Sequence, residues 1–78
     1  MLYDRIVIDP KIMFGKPVVK GTRVTVELIL RKLGAGMTEQ EIMAHHPQLA
    51  AEDIRAAAAF AADHLANEEI VLASGAKL

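Results

Sequence analysis

The chain contains no cysteine and no tryptophan, and its only aromatic residues are Tyr3, Phe14 and Phe60. Without thiols it can form neither a disulfide nor a thiolate metal centre, so neither kind of staple can reinforce it. Its core must also be thin, because a chain of 78 residues buries only about 60–65% of its unfolded surface. The remaining supports are well-packed helices and self-association, which makes a homodimer the expectation. No apolar stretch approaches the roughly 20 residues that span a bilayer. Asp4 and Arg5 close behind Met1 do not form a signal-peptide pattern, so a cytoplasmic protein without membrane contact is expected.

Catalytic parts are equally scarce. The only serine is Ser74, and Gly15-Lys16-Pro17 lacks the glycine-lysine spacing of a phosphate-binding loop. His45 and His46 are adjacent and so point in different directions on a helix, while His64 has no histidine or carboxylate at metalloprotease spacing. The expectation is a protein that is not an enzyme and holds no metal or cofactor.

Charge is nearly balanced overall, at −1, but it is unevenly placed. Residues 1–36 carry seven cations (Arg5, Lys11, Lys16, Lys20, Arg23, Arg31 and Lys32) against three anions, a net +4. Residues 37–78 carry Arg55 and Lys77 against seven carboxylates, a net −5. A basic half can face phosphate and an acidic half repels it, so a nucleic-acid surface belongs in the first half. Alternatively, the two halves attract each other within or between subunits.

The chain is expected to form one domain over residues 1–78, with a β ribbon over 2–24 and helices near 26–34, 39–46 and 51–67. Tyr3, Ile6, Val7 and Ile8 make a β-rich run closed by Asp9-Pro10. Gly15 and Gly21 bracket Val18 and Val19, which predicts a tight ribbon with Gly21 in its turn and Pro17 at an edge. Thr25 caps a helix whose Val26, Ile29, Leu30 and Leu33 form one stripe, stopped by Gly34 and Gly36. Thr38-Glu39-Gln40-Glu41 is a capping box, with Met37 placed to staple onto Ile42. Pro47 ends that second helix near His45 or His46. A third begins close to Ala51, with Glu52 and Asp53 in its first turn and Ile54, Ala58, Ala61 and Leu65 on one face, widened by Ala57 and Phe60. The expected core set is Met37, Ile42, Leu49, Ile54, Phe60 and Leu65. Ile70-Val71-Leu72 reads as a short tail strand. The order of helix, turn and helix, with a helix before them, predicts a mainly α, helix-turn-helix domain preceded by a short ribbon.

Several segments carry a further signal: Ile8-Asp9-Pro10, Gly15-Lys16-Pro17 through Gly21-Thr22-Arg23 to Val26, Gly36 to Ile42, and Pro47-Gln48-Leu49 leading into Glu52-Asp53-Ile54. Together they resemble the bacterial and archaeal family called domain of unknown function 433, over roughly Asp4 to Leu65. The resemblance implies a homeodomain-like helical fold. It also implies an antitoxin role in toxin–antitoxin pairs related to the VapBC type, often beside a PIN-domain ribonuclease. The motif positions here are Gly15, Lys16, Pro17, Gly21, Thr22, Arg23, Pro47 and Leu49. In place of the hydroxyl cap usual in the family at its third helix, this chain has Ala50-Ala51.

A third helix entering a major groove would present Glu52 and Asp53, then Ala56, Ala59 and Asp63, with Arg55 its only cation. Carboxylates without counter-charge are repelled by phosphate, so the better DNA candidates are Lys16, Lys20 and Arg23 on the ribbon and Arg31 and Lys32 on the first helix. Against this stands a structural reading in which Gly15, Pro17, Gly21 and Thr22 only shape a turn and Arg23 pairs with an acid such as Glu27. Two functions follow: an operator-binding antitoxin that neutralises a PIN-type nuclease, or a homodimeric protein-interaction module that never touches nucleic acid. For the first, a presented Arg23 or Lys77 would compensate the nuclease carboxylates that hold its divalent cation.

Overall fold

A computed structural model describes residues 4–67. Three helices follow a small antiparallel ribbon, the mainly helical class expected. The ribbon consists of β1 (Ile6–Val7) and β2 (Val18–Val19), paired Ile6 to Val19 and Val7 to Val18. The β-branched residues that predicted extended chain supply the pairing, and Ile6, Val18 and Val19 are buried. Asp9 ends the first run as an Asx turn, its carboxylate accepting from the Lys11 amide at 2.9 Å. A further bridge joins Val18 to Thr25, so β2 is the middle of three short extended runs. This corrects the expected edge position of Pro17. The proline stands at the entrance to the central run, where its missing donor is not needed, and its carbonyl accepts from the Val26 amide at 2.9 Å.

The ribbon is also less continuous than the expected 2–24. Between its strands the chain makes one 3₁₀ turn, Met13–Gly15, in which Met13, Phe14 and Gly15 all have positive φ, at 48°, 59° and 83°. Two of these are not glycine, and nothing in the residue pattern announced them.

The helices are α1 (Val26–Gly34), α2 (Glu39–His45) and α3 (Ala51–Ala66). Thr25 caps α1, accepting from the Leu28 amide at 3.0 Å. A Schellman closure ends it: Met37 donates to the Lys32 carbonyl at 3.1 Å and Gly36, at φ 93°, to Leu33 at 3.0 Å. The expected box opens α2, with Glu41 N–H to Thr38 Oγ1 at 3.1 Å and Thr38 N–H to Glu41 Oε1 at 2.9 Å. His46 is the residue after α2 and Pro47 prevents its continuation.

The core joins Ile6, Val19, Val24, Val26, Ile29, Ile42, Leu49, Ile54 and Ala57, with Leu30, Leu33, Met37, Ala56, Phe60 and Ala61 packed around it. The face of α3 is therefore rotated from the one expected. Ala58 is exposed and Leu65 is 51% exposed, whereas Ala56, assigned to the solvent side, packs on the core. The end of this sixteen-residue helix, from Ala62 to Ala66, is exposed. No described helix is long and apolar enough to cross a membrane. The Ile70-Val71-Leu72 strand expectation and Lys77 lie outside the described residues.

Candidate functional site

The Gly21-Thr22-Arg23 motif is a locked turn. Gly21 takes φ 80°, which an L side chain resists. Thr22 then fastens both sides: its amide and hydroxyl donate to the Val19 carbonyl at 3.0 and 2.8 Å, and its Oγ1 accepts from the Val24 amide at 3.0 Å. The Val19 amide closes onto the Val24 carbonyl at 2.9 Å. With the backbone so fixed, Lys20 and Arg23 stand exposed on either side of the glycine. Lys20 is tied only through its main chain, donating to the Arg5 carbonyl at 2.7 Å.

The other expected DNA-binding cations have partners. Glu27 accepts from Lys16 Nζ at 3.2 Å and from Arg31 Nε and Nη2 at 3.1 and 3.0 Å. These bonds, Arg31 first and Lys16 second, hold the Glu27 carboxyl below its ordinary pKa. Lys32 Nζ lies 3.2 Å from His45 Nδ1, and Arg55 Nε lies 3.5 Å from Glu39 Oε2. The proposed Arg23–Glu27 pair does not form, because Glu27 already holds Lys16 and Arg31. Among the described residues, Lys11, Lys20 and Arg23 have side chains without a counter-ion, and only Lys20 and Arg23 stand on the locked turn.

A second correction concerns the start of α3. Asp53 does not face solvent: it is 7% exposed, with Oδ1 on Arg5 Nη1 at 3.0 Å and Oδ2 on the Ala50 amide at 2.8 Å. The carboxylate thus supplies the N3 half of a capping box, whose hydroxyl half Ala50 lacks, and removes its own charge from the surface, leaving Glu52 as the exposed anion of that turn. The Arg5–Asp53 pair was missed by residue-type reasoning because a charge next to a helix start reads first as a dipole partner. The Leu-x-x-Glu-Asp-Ile spacing held the only hint. The histidines are dispersed in role. His46 closes α2, with Nε2 buried and unpartnered among the described residues, and its pKa is lowered by burial and then by the charges of Lys32 and His45. His64 stacks on Phe60, with ring centres 6.0 Å apart.

Beside α1 lies an open apolar groove of about 770 Å³, lined by Ile8, Pro17, Val26, Leu30, Phe60, Ala61 and Leu65, with Glu27, Arg31 and His64 at its polar margin. The sequence pattern did not point to it. The signals available were Ile8, an apolar residue just before a turn, and Leu65, an apolar residue in the last turn of a long helix.

A sequence profile described as Protein of unknown function (DUF433) matches residues 6–61, from β1 through most of α3. The chain belongs to the DUF433 family. A crystal structure of a DUF433 member from Anabaena variabilis superposes with a TM-score of 0.76 at 29% identity, covering 85% of this chain. The present chain spans 65% of that protein's length. An uncharacterized protein of Archaeoglobus fulgidus is 54% identical over 28 residues, 36% of this chain and 78% of that protein. The locked turn, the Glu27 cluster and Asp53 fall inside the DUF433 match, whereas Arg5 lies just before it and Leu65 beyond it.

Proposed function

We propose that this DUF433 protein is a dimeric, non-enzymatic antitoxin that contacts operator DNA through Lys20 and Arg23 and holds a PIN-domain nuclease inactive. The observation that supports DNA contact is the rigid Lys20–Arg23 turn, whose two cations lack counter-ions among the described residues while Lys16, Arg31, Lys32 and Arg55 are engaged. A turn fixed by Gly21 and Thr22 presents its charges with little loss of backbone freedom on binding, and arginine suits phosphate or guanine edges. Lys16, Arg31 and Lys32 remain exposed or half-exposed, so they add to the field as a second tier. The resemblance to antitoxins of the VapBC type supplies the nuclease. Its acidic metal site would be opposed by Arg23 or Lys77.

The test is a fluorescence-anisotropy titration of duplex DNA from the region upstream of the gene, repeated across salt. Binding that weakens steeply with salt, and a loss of at least about tenfold in Lys20→Ala/Arg23→Ala, supports the reading. Unchanged affinity in that double variant removes the turn.

The rival reading, a homodimeric protein-interaction module that binds no nucleic acid, is favoured by the engaged Glu27 cluster and by the apolar groove. No binding to duplex at about 50 mM salt selects it.

A further inference from the structure

We propose that the homodimer forms by reciprocal insertion of Phe14 from each copy of the chain into the apolar groove of the other, across the outer edge of α1. The proposal rests on the dimer of the preceding reading, and not on DNA binding.

Phe14 is 95% exposed, so it contributes almost nothing to its own core. Yet it is held firmly. Gly15 N–H to the Ile12 carbonyl and Lys16 N–H to the Met13 carbonyl, each 3.1 Å, close the turn that carries it. That turn places Met13 and Phe14 at φ 48° and 59°, a left-handed conformation that disfavours both side chains. A costly backbone geometry that fixes a large ring in solvent is what a pre-organised anchor residue looks like, and buried aromatic anchors carry most of the energy of protein contacts.

The receptor for such an anchor is on the same chain. The groove of about 770 Å³ between Ile8, Pro17, Leu30, Phe60 and Leu65 admits a phenyl ring, and two of its walls are the exposed Ile8 and Leu65. Anchor and groove flank one ridge. Glu27 and Arg31 border the groove and also border a smaller hollow lined by Met13, the chain neighbour of Phe14, with Lys16 and Leu28. A two-fold axis through that ridge carries the anchor of each copy towards the groove of the other, the self-complementary arrangement of a closed dimer.

Charge agrees with this choice of occupant. The ridge holds Lys16, Glu27 and Arg31, a mixed-sign trio of net charge +1 whose two cations already share one carboxylate, so it meets its own inverted copy with only a small residual repulsion. A strongly acidic or basic partner would find no such match. Leu28, 37% exposed on the same side, extends the apolar contact beyond the ring.

The test uses the full 78-residue chain in sedimentation equilibrium, from about 1 to about 500 µM, with two single variants. Phe14→Asn removes the ring and suits the left-handed backbone, so folding is preserved; Leu65→Glu charges an already half-exposed wall of the groove. The wild type is expected to be dimeric, and each variant to weaken the dimer at least about tenfold with unchanged helical circular dichroism. An equimolar mixture of the variants should dimerise more tightly than either alone, because the intact Phe14 of one fits the intact groove of the other. A monomeric wild type overturns both this interface and the dimer of the functional reading. A dimer unaffected by Phe14→Asn overturns the interface alone, and indicates that another face or another occupant, such as residues 68–78, is used. A mixture no tighter than its components shows that ring and groove do not meet.

Discussion

Asp53 does three jobs with one carboxylate: it accepts from the Ala50 amide, holds Arg5, and fills a buried position at the foot of α3. Removing it should cost about 2 kcal/mol, the sum expected for a lost helix-start bond and a part-buried charged hydrogen bond. Asp53→Asn, which keeps an acceptor for Ala50, should cost less than Asp53→Ala, and urea unfolding monitored by circular dichroism would rank the two. The turn at Gly21 behaves similarly. Thr22→Val removes a hydroxyl that both donates and accepts, and should cost about 1 kcal/mol in the same assay. Gly21 and Thr22 were legible in the sequence because a positive φ and a turn hydroxyl each favour few residue types. The burial of Asp53 was not, since a carboxylate is ordinarily a surface residue and its partner Arg5 lies 48 positions away.

Among the elements, α1 and α2 were the most readable, because their ends are written in local hydrogen-bonding residues: Thr25 and Gly36 for one, Thr38 and Glu41 for the other. The orientation of α3 was less so. Eight of its sixteen residues are alanine, and so weak a contrast between faces leaves the packing direction to its neighbours. The ends of α2 also set a pH response. The Thr38 amide and hydroxyl hold Glu41 below its ordinary 4.5, so the box contributes above that value and its contribution disappears as pH falls through the folded-state pKa. Thermal melts should show Glu41→Gln losing less stability than wild type between about pH 5 and about pH 3. His46 acts higher on the scale. Its folded pKa lies below 6.5 because burial disfavours the charged ring, so the unfolded chain binds the proton first and stability declines as pH drops below that value. His46→Asn should flatten the melting temperature between about pH 7 and about pH 5.5.

At the scale of the molecule, ten buried apolar residues among those described form the core, of which Ile29, Ile42 and Ile54 are the largest fully buried side chains. Ile54→Ala should cost about 3 kcal/mol, a large part of the roughly 4–12 kcal/mol expected of a domain this size, and should leave it partly unfolded at physiological temperature. The sequence conveyed that such a core existed and that basic residues were concentrated in the first half. It did not convey that Glu27 draws Lys16 and Arg31 together, which leaves Lys11, Lys20 and Arg23 as the exposed cations without a counter-ion among the described residues. Ion pairing of that kind depends on where helices place long side chains, and composition counts every charge equally.

The link between Arg5 and Asp53 joins positions 48 residues apart in the chain. Bringing two positions so far apart together is entropically demanding, and the demand is met only once the intervening helices are seated. A ribosome releasing this chain therefore extrudes its opening strand well before that strand's ionic counterpart exists. Completion of this contact waits on translation of α3.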